Sequence, residues 1–296
     1  MIVLTSEAVA AGELLREASS PRAHAPPRAQ PRKRAPGPGR RGILGFAVPV
    51  ALLVVWEGLG RTGLAAPNLL PTPTAVLDTL GGLALSGELF GHILVTFARV
   101  AAGFALGTAA ATALGALTGY SAFYRLLLDP LIQGLRSVPS LAWVPLFVLW
   151  LGIFETSKIA LVAAGVFFPV YLNLMSGIHG VDRKLVEVGR MYGLRGLGLV
   201  RRVLVPATLP AYIVGLRSGL GLGWMFVLAA EFMGASEGLG YLLIDGQMTG
   251  RPAAIIGGVI LFAVFGKLTD ALLARGTRPF LAWQDSFAAR REREDA

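Results

Sequence analysis

The chain has 296 residues, of which 54% are hydrophobic and 15% charged, and its formal net charge is +9. Apolar runs of roughly 18 residues or more recur along it, which excludes an ordinary soluble domain and predicts helices that cross a hydrocarbon core about 30 Å thick. The sequence has no cysteine, which excludes disulfides and thiolate metal sites, and its three histidines lie far apart. We therefore predict an all-α polytopic membrane protein with neither metal nor cofactor, whose dispersed cations do not suit nucleic acid.

The N-terminal segment differs in composition from the rest of the chain. Residues 1–42 include PRAHAPPRAQPRKRAPGPGRRG, which is rich in Pro, Arg and Ala and has no apolar periodicity. This composition predicts a disordered basic cytoplasmic tail that touches anionic lipid, and not a cleavable signal peptide. Residues 43–284 are predicted to form the transmembrane domain, and residues 285–296 a charged cytoplasmic C-terminal tail.

Apolar segments predict about six transmembrane helices. The third is interrupted by three prolines and two charged side chains, which allows a broken helix in place of a straight rod where the backbone faces protein or a cavity. The predicted spans cover residues 43–60, 92–118, 127–151, 157–179, 208–232 and 253–274.

The distribution of Lys and Arg predicts the orientation in the membrane. Eight of these cations precede the first span and six lie in the loop 180–207, whereas the loops 61–91 and 233–252 hold one each. Because cytoplasmic loops carry the excess of Lys and Arg, both termini and the loop 180–207 are predicted to be cytoplasmic.

Small residues recur every four positions in two spans, and such faces let helices approach closely in lipid, either within one chain or between subunits. The second span carries Gly103, Gly107, Ala111, Gly115 and Gly119, and the fifth carries Gly215, Gly219 and Gly223.

The loop 180–207 carries a spaced motif. Glu187, Val188 and Gly189 are followed after three residues by Gly193, and after nine more by Val203-Leu204-Val205-Pro206. This resembles the cytoplasmic signature of binding-protein-dependent ABC importer permeases: Glu-Ala-Ala, three residues, Gly, nine residues, Ile-x-Leu-Pro. The departures keep size or hydrophobicity, and Gly189 is expected to add flexibility to the first helical segment.

The resemblance extends over residues 43–284 and is similar in detail to the nitrate, sulfonate and taurine permease branch. It is carried by LPTP at 70–73, SGELFGHILVTFARVAAGFALG at 86–107, LAWVPLFVLWLGIFETSKI at 141–159, GLRSGLGLGWMFVLAAE at 215–231, GLGYLL at 238–243 and GKLTD at 266–270.

The resemblance implies a type I ABC importer permease in a bacterial inner membrane. A second permease copy, two ABC ATPase subunits and an extracytoplasmic solute-binding protein would be its partners. The chain itself would be non-catalytic, and no Walker loop surrounds Gly266-Lys267. The implied cargo is a small anion such as an alkanesulfonate, taurine or nitrate. A permease for a thiamine-precursor-like molecule and an ion-coupled secondary transporter are the alternatives.

The resemblance also implies that the loop docks on the ATPase as a coupling helix. The residue pattern agrees, because apolar Leu185, Val188 and Tyr192 recur near helical spacing and can enter a partner's groove. The predicted coupling residues are Glu187, Val188, Gly189, Tyr192, Gly193 and Pro206.

Charged and polar residues in or beside the spans give candidates for the substrate path. Arg99 and Lys158 are expected to snorkel at the outer interface, and Lys267 and Asp270 to form a local pair. Arg136 is a candidate to meet an anionic solute, with a cytoplasmic-interface or packing role as the alternative, and Arg217 is expected to form structural hydrogen bonds. Glu231 is assigned to a gate or to contact with the binding protein. The path candidates are Gln133, Arg136, Ser137, Arg217 and Glu231.

Overall fold

The computed structural model describes residues 38–62, 69–139 and 142–283, and helices dominate these ranges. The chain divides after Leu52 into two compact units, and apart from the first helix, which crosses that boundary, every feature discussed below lies in the second. The helices are α1 Pro38–Arg61, α2 Pro73–Leu85, α3 Glu88–Tyr120, α4 Ala122–Ser137, α5 Trp143–Leu151, α6 Glu155–His179, α7 Arg183–Met191, α8 Val205–Phe232, α9 Leu239–Met248 and α10 Pro252–Thr277.

Four of the six predicted spans coincide with helices that are long and apolar enough to cross a membrane. Among the described residues these helices cover Glu88–Tyr120, Glu155–His179, Val200–Phe232 and Pro252–Leu281. The first predicted span falls on α1, which begins at Pro38 and not at residue 43. Residues 1–37 of the tail predicted at 1–42, and the whole tail predicted at 285–296, lie outside the described residues.

The predicted third span is two helices. Helix α4 ends at Ser137 and α5 begins at Trp143, with Pro139 between them. Proline disfavours helical conformation in the residue before it, which accounts for the end of α4. The interruption is therefore a change of element, whereas Pro130 and Pro145 lie inside α4 and α5.

Helix α6 forms the centre of the fold, with α3 on one side and α8 on another. Its Val162, Val166 and Val170 are completely buried. The small-residue faces of α3 and α8 both pack on α6. A β-carbon added at Gly103 would stand 2.5 Å from Val162 Cβ, and one added at Gly219 would stand 2.9 Å from Val170 Cγ2. The predicted close packing is confirmed, and it occurs within the chain.

Two segments expected to be plain loops contain helices. Thr72 caps α2 by accepting a hydrogen bond from the backbone N–H of Ala75, and Pro73 occupies the first turn, where its missing N–H costs nothing. Helix α9 packs on α10 through Gly258, whose position leaves room for Leu243. These helices cover the ends of α3 and α10 with a second apolar cluster, which contains Leu89, Leu242 and Ala254.

Candidate functional site

The turn after α7 is built as the sequence predicts: a short helix ends at Met191, and a glycine follows two residues later at Gly193. Asp182 begins α7 by accepting a hydrogen bond from Lys184 N at 2.9 Å. Gly193 has φ = +76°, a left-handed conformation that strains any residue with a side chain. Its N–H donates to Arg190 O, and Leu194 N donates to Gly189 O, so the chain reverses immediately after α7.

Gly189 has a different role from the expected flexibility. It is buried, and a β-carbon there would stand 2.8 Å from Leu199 Cδ1 and 3.0 Å from Val203 Cγ2. Glycine therefore permits α7 to lie directly on the segment that leads into α8. This contact joins the turn to a membrane-crossing helix.

Helix α7 leaves a set of large apolar side chains uncovered by the described residues. We call Leu185, Val188, Met191 and Tyr192 the turn surface; Met191 is 85% exposed and Tyr192 84% exposed. Glu187 lies beside this surface, is exposed, and makes no salt bridge with the described residues. An apolar surface with a charged edge can dock in an apolar groove of a partner protein, where the charge helps to fix its position.

The segment from the turn into α8 is continuous helix with one widened turn. Residues Val200–Leu204 form a π-helical turn, in which Val205 N donates to Val200 O. Pro206 follows inside the first turn of α8. Because proline has no N–H and its ring crowds the preceding turn, a widened turn accommodates it without ending the helix. Pro206 therefore lies at the start of α8, within a continuous helical rod.

A buried charge cluster, formed by Arg99, Glu155, Lys158 and Glu231, joins α3, α6 and α8. Arg99 Nη1 lies 2.8 Å from Glu231 Oε1, while its Nε and Nη2 donate to the two oxygens of Glu155 at 2.6 Å. Lys158 Nζ donates to Glu155 at 3.0 Å. The side chains of Arg99 and Glu231 are 4% and 0% exposed, whereas that of Glu155 is 56% exposed.

The carboxylate of Glu231 also fixes the start of α9. Glu231 accepts hydrogen bonds from Thr96 Oγ1 at 2.8 Å and from Gly240 N at 2.7 Å, and Arg99 donates to the carbonyl of Glu237. Gly238, at φ = +124°, brings the backbone against this cluster. A β-carbon at Gly238 would stand 2.5 Å from Glu231 Cδ, so the close approach requires glycine.

The cluster corrects three predictions. Arg99 and Lys158 do not snorkel, because both are buried and paired. Glu231 is enclosed in the fold, so in this conformation it is inaccessible to a docking protein, whereas its assignment to a gate stays a prediction. Sequence reasoning did not place Thr96 or Glu155 in this cluster, and no local pattern in the sequence points to either.

Asp270 is held mainly by another helix and not by its neighbour. Arg217 Nε and Nη2 donate to its two oxygens at 2.8 and 2.9 Å, whereas Lys267 Nζ lies 3.9 Å away. The expected local pair is therefore secondary. Arg217 makes the structural hydrogen bonds expected of it, between α8 and α10.

Of the five path candidates, Arg136 alone lines the cavity between α4, α5, α6 and α8, and its side chain is exposed. The cavity measures about 370 Å³, and Trp143, Gly165, Phe168, Asn173 and Phe226 also line it. Ser137 Oγ instead donates to Gly134 O at 2.7 Å, and Gln133 is exposed outside the cavity. Glu231 and Arg217 lie in the ion pairs described above.

Comparison with known proteins identifies the family. Residues 103–275 match the model of the binding-protein-dependent transport system inner membrane component. The chain is 41% identical to the putative aliphatic sulfonates transport permease protein of Bacillus subtilis strain 168 over 86% of this chain and 93% of the relative. It is 38% identical to the protein of the same description from Escherichia coli K12, over 81% and 91%.

A third relative carries a different description. The chain is 32% identical to the formylaminopyrimidine transport permease protein of Halalkalibacterium halodurans, over 75% of this chain and 91% of the relative. These matches agree with the long apolar helices and with the motif in the turn, and together they identify the family. The chain belongs to the family of inner membrane components of binding-protein-dependent transport systems, and is an ABC transporter permease.

Proposed function

We propose that the chain is the membrane-spanning permease subunit of an ATP-driven importer for small organic anions, and that the turn surface docks on a separate ATPase subunit. The observation that carries the docking proposal is the turn itself, in which large apolar side chains stand exposed on a helix fixed to α8. Two copies of the chain would form the path, with one ATPase subunit on each turn. A solute-binding protein would deliver the cargo at the opposite side.

The packing of the turn supports transmission of motion. Helix α7 contacts the segment before α8 through Gly189, and the widened turn at 200–204 keeps that segment continuous with α8. Helix α8 in turn packs along α6 through Gly215 and Gly219. A displacement of α7 by the ATPase would therefore move α8, since packed elements transmit strain instead of absorbing it.

The cations of the turn support an orientation of the chain in the membrane. The turn carries Arg195, Arg201 and Arg202, which line an open cleft beside Gly193. Cations in short loops mark the cytoplasmic side. We therefore place the turn in the cytoplasm and the charge cluster, at the other end of α6, on the outer side of the bacterial inner membrane. The chain would not hydrolyse ATP itself.

Organic sulfonates are the favoured cargo, because two relatives that the chain covers almost completely are described as aliphatic sulfonates permeases. The formylaminopyrimidine relative makes a thiamine precursor the second candidate. Uptake assays with a labelled alkanesulfonate, nitrate and formylaminopyrimidine, each with a cognate binding protein, separate these classes. Uptake of formylaminopyrimidine alone would contradict the sulfonate proposal.

Coupling is tested by Gly193→Val in proteoliposomes that contain the chain, the ATPase subunits and the binding protein. A β-branched residue disfavours the left-handed backbone, so the turn should shift and the variant should hydrolyse ATP while its uptake falls at least about tenfold. Glu187→Lys, which reverses the charge beside the turn surface, should act in the same direction. Gly81→Val in α2, where a β-carbon meets nothing within 4 Å, is the matched control.

Normal uptake in both turn variants would contradict the coupling proposal. The ion-coupled alternative predicts something else: the purified chain alone would transport cargo on a proton or sodium gradient. Recovery of full transport without an ATPase subunit would refute the importer proposal as a whole.

A further inference from the structure

The cavity beside Arg136 lies at the middle depth of the fold. Its residues on α6 run from Ala164 to Asn173, about 14 Å along the helix from Glu155 and about 9 Å from His179. Secondary transporters hold their cargo near the membrane midplane, and a cavity at the same depth suits a resting place on the path through this chain.

The cavity combines one cation with an apolar wall. No carboxylate of the described residues forms a salt bridge with Arg136. Arg136 is exposed to the cavity side of the fold, and a cation inside a membrane is costly unless water or a partner compensates it, which a bound anion would do. Phe168 and Phe226 supply apolar surface, while Trp143 and Asn173 add side chains that carry N–H donors, although Asn173 Nδ2 also donates to Pro169 O at 2.8 Å.

The arrangement fits an organic anion better than an inorganic one. A guanidinium pairs well with the oxygens of a sulfonate, and the aromatic rings suit an alkyl chain. The volume of about 370 Å³ lies in the range of small-molecule sites, whereas nitrate would leave most of it unfilled.

We propose that this cavity holds an organic sulfonate during transport, with the sulfonate on Arg136 and the alkyl chain against Phe168 and Phe226. The proposal rests on the proposed function and adds to it a site and a reason for selecting alkyl-bearing anions. Gly165 sets the width of the cavity. A β-carbon there would stand 2.6 Å from Phe226 Cγ, so any larger residue must displace the ring.

The head-group contact is tested with Arg136→Gln in the complete complex, reconstituted with ATPase subunits and binding protein. ATP-driven uptake of labelled butanesulfonate should fall about tenfold or more, the effect of losing a charge-assisted contact. Arg136→Lys, which keeps the charge, should restore part of it. Arg125→Gln is the control on the same helix, because Arg125 lies outside the cavity and within 2.8 Å of His179 Nε2. Variants are compared only as complexes that retain both partner subunits at normal yield.

The alkyl contact is tested with Gly165→Ala, which should change the ratio of butanesulfonate to methanesulfonate uptake several-fold by moving Phe226. Gly221→Ala in α8 is the control, since a β-carbon there meets nothing within 4 Å. Equal uptake by Arg136→Gln and Arg125→Gln, or an unchanged ratio in Gly165→Ala, would overturn the site. The proposed function would stand in that case, provided that the unmodified complex still imports sulfonates with ATP. If the unmodified complex imports no sulfonate, both proposals fail.

Discussion

Replacing Arg99 with Met should destabilise the protein more than any other single change of charge in the described chain. Arg99 is the basic partner of Glu231, whose side chain is completely buried. Without it, Glu231 keeps hydrogen bonds from Thr96 and Gly240 but loses its compensating charge. Removing one partner of a buried pair costs about 3–5 kcal/mol. For a domain of this size that lowers Tm by roughly 6 to 20 °C.

The other carboxylate of the cluster provides an internal comparison. Glu155 is 56% exposed, so water already screens its charge. Glu155→Gln should cost less than Arg99→Met, because Arg99 then keeps Glu231 and Lys158 Nζ keeps its hydrogen bond to Ile153 O. Replacing Arg99 and Glu231 together, by Met and Leu, removes the uncompensated charge and should recover part of the loss. The recovery should be incomplete because Gly240 N then lacks its acceptor.

The assay is thermal unfolding of the detergent-solubilised chain, followed by intrinsic fluorescence, for these variants side by side. A shift for Arg99→Met no larger than that for Glu155→Gln would refute the argument. So would a double variant less stable than Arg99→Met alone, because the penalty could not then come from an unpaired buried charge.

Two further predictions concern helix packing and use the same thermal assay. Gly107→Val should destabilise the protein by about 1–3 kcal/mol through overpacking, because even a β-carbon there would stand 2.9 Å from Val166 Cβ. Gly91→Val in the same helix meets nothing within 4 Å and should change Tm far less; equal shifts would contradict the packing of α3 on α6. Arg217→Met should cost about 1 kcal/mol or less, since Arg217 is 45% exposed in its pair with Asp270, and a larger loss would show that the pair is buried in the assembled transporter.

The parts of the fold that local chemistry determines were predictable from the sequence. Apolar length located four membrane-crossing helices, and the repeat of small residues at every fourth position located the faces of α3 and α8. The turn was predictable too, because Gly193 and the motif around it specify a reversal between two helical segments. Each of these patterns is contained in a stretch of sequence no longer than a single helix or turn.

The charge cluster could not be predicted in the same way, because its partners come from distant helices. Arg99 and Glu231 are separated by 132 positions, and nothing local distinguishes a paired arginine from one that snorkels. Asp270 illustrates the same difficulty, since its neighbour Lys267 was the obvious partner and Arg217 is the actual one. The role of Gly189 also depended on a tertiary contact, with Leu199 and Val203.

Cross-linking from the turn tests the central proposal, docking on an ATPase subunit, most directly. The sequence contains no cysteine, so Tyr192→Cys introduces a unique thiol at a side chain that is 84% exposed. Leu85→Cys is the control, at a residue that is 92% exposed on α2. In membranes that contain the whole complex, a short thiol-to-amine cross-linker should join the chain to the ATPase subunit from position 192 and not from position 85. Failure at position 192, or equal cross-linking from both positions, would contradict the account.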